Sequence, residues 1–247
     1  MTTDLLIRLT MLLFGIIILG TLACVPLYKW NISKLLHSSL FIKIMWWIPI
    51  FIIIMAIAYG GLVPAIIITT GVIALGTREF MRQKAWSLAV PRIYYALFVI
   101  WMLHLLLWFL VLPSQLAVTG FIAVCSISIF SDVCAFFLGN YAGKHKLPKW
   151  LNNHKSWEGV AGQLIGAIIG GLIVIHYLSV PVSPLAIGII GIASAIGDLA
   201  NSAAKRVLSI KDWGTTIPGH GGIMDRLSSL SLSLAVVFWI IHLTSSL

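Results

Sequence analysis

The sequence predicts an all-α polytopic membrane protein with about eight transmembrane helices and a polar cavity at their cytoplasmic ends. Hydrophobic residues make up 60% of the 247-residue chain and charged residues only 9%, whereas soluble domains carry about 25% charged residues. The apolar residues form runs that approach or exceed the roughly 20 helical residues needed to cross a hydrocarbon core. The basic residues are confined to a few short segments between these runs.

Eight apolar runs are predicted to be spans. The second and third are short and are joined at Gly60, Gly61 and Pro64, so a partial or re-entrant hairpin is the alternative there. Residues 1–92 hold about three spans and few motifs, whereas residues 93–247 carry the motifs that indicate chemistry. The predicted spans are 5–28, 43–59, 62–77, 93–112, 116–138, 158–178, 183–200 and 228–247.

The lysine and arginine residues predict the orientation of these spans. All 16 of them except Arg8 fall in segments 29–43, 78–92, 140–157 and 201–227, and two spans separate each segment from the next. Because cytoplasmic loops are enriched in Lys and Arg, these segments are predicted to be cytoplasmic and both termini extracytoplasmic. The same rule explains the net charge of +9 without a nucleic acid partner.

A polar stripe is predicted at the end of the seventh span. Asp198 closes an apolar run, and an acid at membrane depth needs a charged partner or a metal. If the helix continues, Asn201, Ser202 and Lys205 lie three, four and seven residues further on and share a face with Asp198. The stripe would then lead from the bilayer into the loop 201–227.

The loop 201–227 combines a glycine turn, carboxylates and cations. The run Pro218-Gly219-His220-Gly221-Gly222 cannot be regular helix, and its glycines allow backbone N–H groups to approach an anion. Asp198 and Asp225 supply the hard oxygen ligands that suit Mg²⁺ bound with a nucleotide triphosphate. This combination suits phosphoryl or nucleotidyl transfer, which depends on positioning and charge neutralisation. The cationic donors for phosphate oxygens are Lys205, Arg206, Lys211 and Arg226.

Several motifs follow one another across residues 128–230. The longest is Ser202-x-x-Lys205-Arg206-x-x-x-x-Lys211-Asp212, followed by Pro218-Gly219-His220-Gly221-Gly222-x-x-Asp225-Arg226. Upstream lie Ser194 to Asp198, Asp132 to Gly139, Gly143-Lys144-His145 and Lys155 to Gly159. In type and order these motifs resemble those of the phosphatidate cytidylyltransferase family. That family usually has an acid where this chain has Ser228.

The resemblance implies a membrane enzyme that transfers CMP from CTP to phosphatidate, giving CDP-diacylglycerol and pyrophosphate, with Mg²⁺ as cofactor. It implies that residues 93–247 are the catalytic region, with the signature at 194–226, and that Asp198 and Asp225 hold the metal. The expected location is a bacterial inner membrane with cytoplasmic catalytic loops, where a homodimer is one compatible arrangement. The catalytic residues would be Asp198, Lys205, Arg206, Lys211 and Asp225, and the substrate-binding residues Asp132, Lys144, Lys155, Ser202, Asp212, His220, Gly221, Gly222 and Arg226.

Two other functions remain open at this point. A CTP-dependent kinase would transfer the γ-phosphoryl group to a polyprenol or another lipid alcohol. A non-catalytic membrane protein, either a paralogue or a transporter, is supported mainly by Ser228. Individual site residues also have structural alternatives: Asp198 could pair with Lys205, Asp225 with Lys211 or Arg226, and Asp132 with a lysine, while His220 could be a turn residue.

Overall fold

The computed structural model describes residues 3–152, 154–217 and 221–245. Over these ranges the chain is helical without a regular strand, and isolated bridges pair Lys146 with Ser156 and Ile217 with Gly221. Two 3₁₀ turns, Val25–Tyr28 and Ala85–Ser87, connect longer elements. The α-helices are α1 (Thr3–Cys24), α2 (Ile32–Leu36), α3 (Ser39–Met45), α4 (Trp47–Gly60), α5 (Leu62–Arg82), α6 (Ala89–Val111), α7 (Ser114–Tyr141), α8 (Trp157–His176), α9 (Pro184–Val207) and α10 (Ile223–Ser245).

Seven helices in the described ranges, α1 and α5 to α10, are long and apolar enough to cross a membrane. Their mean hydropathy lies between 1.4 and 2.4, which confirms an integral membrane protein. The eighth apolar helix, α4, has only 14 residues. It carries most of the predicted span 43–59, which the structure divides between α3 and α4.

Several helices extend beyond the predicted spans. The helix α9 continues to Val207 rather than ending at residue 200, α5 continues to Arg82 rather than 77, and α10 begins at Ile223 rather than 228. The additional turns contain Glu79, Lys205 and Asp225, whose side chains are buried and bonded within the protein. Because these polar residues lower the local hydropathy, the helices are longer than the apolar runs predict.

The basic segments lie at one end of the bundle, called here the basic end. Near that end the hydroxyl of Tyr141, the last residue of α7, donates to the carbonyl of Ala23 at the end of α1, at 2.7 Å. At the opposite end, Arg8 near the start of α1 donates to the carbonyl of Tyr177, at 2.7 Å. These two contacts bring together the ends of α1 and α7 and place the start of α1 beside the end of α8, in agreement with the orientation predicted from the charges. Arg8 lies outside the basic segments.

Glycines bring the last four helices close together. A Cβ atom at Gly162 of α8 would lie 2.9 Å from the carbonyl oxygen of Cys134 in α7, and one at Gly170 would lie 3.0 Å from the Cα atom of Ile127. On α9, Gly197 contacts the backbone of Ser228 in α10. Small residues allow membrane helices to approach at backbone distance, and here they gather the motif-bearing helices α7 to α10 into one unit.

Candidate active site

The predicted polar stripe is present on α9. Because the helix runs unbroken through residues 198 to 205, Asp198, Asn201, Ser202 and Lys205 share one face. Asn201, Ser202 and Lys205 are buried, and Asp198 is half-buried. The helical continuation that the sequence analysis required is confirmed.

Asp198 lies in a cluster formed by α7, α8, α9 and the loop before α8. The ammonium group of Lys155 forms an ion pair with Oδ2 of Asp198, and the amide of Gln163 donates to the same oxygen at 3.3 Å. The ion-pair partner of Asp198 is therefore Lys155, and the pairing of Asp198 with Lys205 that the sequence left open is not found among the described residues.

A second carboxylate, Asp132 of α7, belongs to the same cluster. It lies near Asp198, Lys155, Gln163 and Ser229. Lys155 thus lies near two carboxylates from two different helices. The cluster brings together three residues that the resemblance implied, Asp132, Lys155 and Asp198.

Asp225 lies in a separate and more deeply buried cluster. The ammonium group of Lys205 donates to its Oδ1 at 2.6 Å, while the backbone N–H groups of Trp213 and Gly222 donate to Oδ2 at 2.8 and 2.9 Å. The Asp225 side chain is 2% exposed and that of Lys205 is 10% exposed. The ion-pair partner of Asp225 is therefore Lys205 rather than Lys211 or Arg226.

The two clusters adjoin the contact between α9 and α10. Gly197, next to Asp198, touches the α10 backbone at Ser228, and Asp225 lies three residues, or about 4.5 Å of helical rise, from Ser228. Asn201 links the same helices, because its amide donates to the Ser228 hydroxyl at 3.5 Å and its oxygen accepts from the Trp213 indole at 2.7 Å. Asp198 and Asp225 therefore both lie within about one helical turn of the same contact.

The donor set at this contact fits a magnesium ion that is bound together with phosphates. Asp198 accepts two hydrogen bonds, from Lys155 and Gln163, and Asp225 accepts three, out of about four lone-pair sites for each carboxylate. Across the described ranges, no group of three or more His, Cys, Asp or Glu residues could hold a metal by itself. Mg²⁺ is usually bound through one or two carboxylates, waters and substrate phosphates, so this arrangement suits it.

The glycine turn precedes α10 as predicted, for the residues that the structure describes. Gly221 has a φ of +88°, and its position leaves room for Asp212, which would lie 3.1 Å from an added Cβ atom. Gly222 contributes its backbone N–H to Asp225. The predicted residue His220 lies outside the described residues.

The remaining predicted residues are distributed around the basic end. The Ser202 hydroxyl accepts from the amide of Asn152 at 3.5 Å. Arg206 is half-buried, and its Nε finds no hydrogen-bond partner within the described ranges. Among the predicted residues, Lys144 and Lys211 in the loops and Arg226 in the first turn of α10 are exposed.

Two residues that sequence reasoning did not assign to the site support its loop. Glu79 of α5 is 3% exposed, and it accepts from the N–H groups of Ile223 and Met224 at 2.8 and 3.2 Å and from the Thr216 hydroxyl at 2.5 Å. Trp213, which is fully buried, donates to both Asp225 and Asn201. Glu79 could have been noticed because it is one of only two acidic residues in the N-terminal third of the chain. Trp213 directly follows Asp212, the last residue of the Ser202–Asp212 motif, but nothing in its residue type indicated a role in the site.

The fold and the site define an integral membrane protein with two carboxylate–lysine pairs, one buried and one partly exposed, at one end of a helical bundle. The chain belongs to the Cytidylyltransferase family, whose model matches residues 6–244. It is 27% identical to a phosphatidate cytidylyltransferase of Brucella suis over 216 residues, which are 85% of this chain and 78% of that protein. It is also 41% identical to a phosphatidate cytidylyltransferase of Mycobacterium bovis over 117 residues, which are 46% of this chain and 38% of that protein. This match therefore spans little more than a third of the mycobacterial relative.

Proposed function

We propose that this chain transfers CMP from CTP to phosphatidate, giving CDP-diacylglycerol and pyrophosphate. The names of the Brucella and Mycobacterium relatives support this substrate pair. The observation that carries the proposal is the placement of two carboxylate–lysine pairs, Asp198–Lys155 and Asp225–Lys205, beside one contact between α9 and α10. Opposite charges held close together can bind a cation and phosphate oxygens in the same space.

The residues of the chain would bind and orient the two phosphate-bearing substrates. Asp198 and Asp225 would hold Mg²⁺, which when bound neutralises phosphate charge and polarises the α-phosphoryl group. Asp132 is a third carboxylate available to the same space. The cations that would bind phosphate oxygens are Lys155, Lys205, Arg206 and Lys211.

The proposed reaction needs no nucleophile from the protein. An oxygen of the phosphatidate phosphate forms a bond to the α-phosphorus of CTP, and the bond from that phosphorus to the oxygen bridging to the β-phosphate breaks. Pyrophosphate is the leaving group and carries away the electron pair. The contribution of the protein is therefore the alignment of the two substrates and the compensation of their charge.

The site would open to the cytoplasm of a bacterial cell through a polar cavity at the basic end. The positive-inside rule supports this side, since all basic residues except Arg8 belong to the basic segments. CTP and pyrophosphate would exchange with the cytoplasm, whereas the acyl chains of both lipids would stay among the spans of the inner membrane.

The test is an assay with CTP labelled at the α- or the γ-phosphate and with phosphatidate in detergent micelles. Label from α-labelled CTP should enter the lipid and label from γ-labelled CTP should not, and chelation of divalent cations should abolish the transfer. Asp198→Asn should be inactive. Asp4→Asn is the matched control, because Asp4 pairs with Arg8 at the opposite end, and it should keep full activity.

Two outcomes would contradict the proposal. Transfer of the γ-label to a lipid alcohol, with no transfer of the α-label to phosphatidate, would indicate a CTP-dependent kinase. Binding of Mg²⁺ and CTP without a lipid product from any acceptor would indicate a non-catalytic member of the family.

A further inference from the structure

The hydroxyl of Tyr94 is a buried polar group that has no role in the proposed reaction so far. Tyr94 lies in the second turn of α6 and is 3% exposed. Its oxygen has no hydrogen-bond partner among residues 3–152, 154–217 and 221–245. Because a buried hydroxyl without a partner costs free energy, nearly all such groups in proteins are bonded to the protein, to water or to a ligand.

The surroundings of Tyr94 place this hydroxyl at the site. The Tyr94 ring stacks on the Trp213 indole, with centroids 6.0 Å apart and planes inclined by 10°. Trp213 in turn donates to Asp225 and to Asn201. The Tyr94 hydroxyl also lies within electrostatic range of the carboxylates of both Asp225 and Asp198.

A second donor that lacks a partner among the described residues lies on α9, one residue after Lys205. Nε of Arg206 on α9 is buried and, within the described ranges, is also without a partner. Two buried donors that lack acceptors among the described residues, in a region that also holds two lysine–carboxylate pairs, predict a ligand that brings several acceptor oxygens. Phosphate is such a ligand, and a phenol can donate to it as a neutral group at short range.

We propose that the Tyr94 hydroxyl donates a hydrogen bond to a phosphate oxygen of a substrate bound between Asp198 and Asp225. This inference rests on the proposed function for the identity of the ligand, since both CTP and phosphatidate carry phosphate. Tyr94 is then a substrate-binding residue contributed by α6, outside the motifs of the signature.

The neighbouring Tyr95 provides a matched control. Its hydroxyl is bonded to the Thr77 hydroxyl at 2.5 Å, and its ring stacks on Phe80. Without substrate, Tyr94→Phe should leave the thermal unfolding midpoint unchanged or raise it, because it removes an unsatisfied group. Tyr95→Phe should lower the midpoint, because it removes an existing hydrogen bond.

In steady-state kinetics of the purified full chain, Tyr94→Phe should have the larger effect and Tyr95→Phe the smaller one. Tyr94→Phe should lower kcat/KM by about tenfold to a hundredfold, as expected for a lost hydrogen bond to a charged acceptor. Tyr95→Phe should stay within about twofold of wild type, because a residue that acts on folding alone leaves the kinetics of the folded protein unchanged. A raised KM for CTP or for phosphatidate identifies the phosphate that is bound, and a lowered kcat alone indicates a contact made during transfer.

Binding of CTP, measured by calorimetry, separates the two proposals. A wild-type protein that makes no lipid product but binds CTP more tightly than Tyr94→Phe does would refute the proposed reaction and support the phosphate contact. Wild-type kinetics and wild-type CTP affinity in Tyr94→Phe would overturn the inference and leave bound water as the partner. A midpoint lowered as much as in Tyr95→Phe would also overturn it.

Discussion

Substitution of Glu79 tests whether the N-terminal part of the chain holds the site loop in place. The carboxylate of Glu79 reaches from α5 to the first turn of α10, where it accepts from Ile223 and Met224, and it also accepts from Thr216. These N–H groups belong to the helix start that has no intrahelical acceptor, and a negative charge there is favourable. Glu79→Ala therefore removes a cap from the helix that carries Asp225.

The expected cost follows from the three hydrogen bonds. Loss of a side-chain cap at a helix start typically costs about 1 kcal/mol, and each other hydrogen bond to a charged group contributes about 1.5 kcal/mol or more. Glu79→Ala should therefore destabilise the protein by about 4 kcal/mol, since Glu79 is almost fully buried and water cannot easily replace the carboxylate. For a chain of this length, that corresponds to a fall of the unfolding midpoint of about 8 to 16 °C.

The assay is thermal unfolding in detergent, followed by the fluorescence of the buried Trp213 and the other tryptophans. Asp4→Ala is the control, because the Asp4 side chain is 64% exposed and its loss should cost less than about 1 kcal/mol. Hydrogen exchange should locate the effect, with faster exchange at Ile223 and Met224 in Glu79→Ala. A midpoint within 2 °C of wild type, together with unchanged exchange at these two amides, would refute the reasoning.

Two further predictions concern buried charge and close helix packing. Lys205→Met should lower the free energy of unfolding by about 3 to 5 kcal/mol, since it leaves the buried Asp225 without its cation. The double variant that also carries Asp225→Asn should regain much of the lost unfolding midpoint. A Lys205→Met protein as stable as wild type would contradict this prediction. Gly166→Ala should cost about 1 to 3 kcal/mol, because its Cβ atom would overlap the Phe130 carbonyl of α7, whereas Gly188→Ala meets open space and should be neutral in the same unfolding assay. Equal unfolding midpoints for the two glycine variants would show that the close contact between Gly166 and Phe130 does not control how α7 and α8 pack.

The membrane-spanning architecture could be predicted because the signals for it are local. The length and hydropathy of each apolar run predict by themselves whether that run can span a bilayer. The positions of the basic residues predict which ends of the spans lie on the same side. The prediction was least accurate where α5, α9 and α10 extend past their apolar runs, and where α4 is too short to span by itself. At those places polar residues continue a helix because the protein, rather than lipid or water, surrounds them.

The site could be predicted only in part. The shared face of Asp198 and Lys205 follows from helical periodicity, and the structure confirms it. The observed partners do not follow from spacing along α9. Asp198 meets Lys155, which is 43 residues away in the sequence, and Lys205 instead meets Asp225.

The sequence by itself determined that the chain is a helical membrane protein, which end of the bundle is basic, and which residues carry the motifs of its family. Only the tertiary structure decided which lysine neutralises which carboxylate and that Glu79 holds the start of α10. It also decided that the Tyr94 hydroxyl, which has no partner among the described residues, lies within electrostatic range of Asp198 and Asp225. The physical reason is that hydropathy and periodicity depend on neighbouring residues, whereas these contacts depend on how helices pack. Glu79 and Met224, for example, are separated by 145 residues in the sequence and are joined by one hydrogen bond.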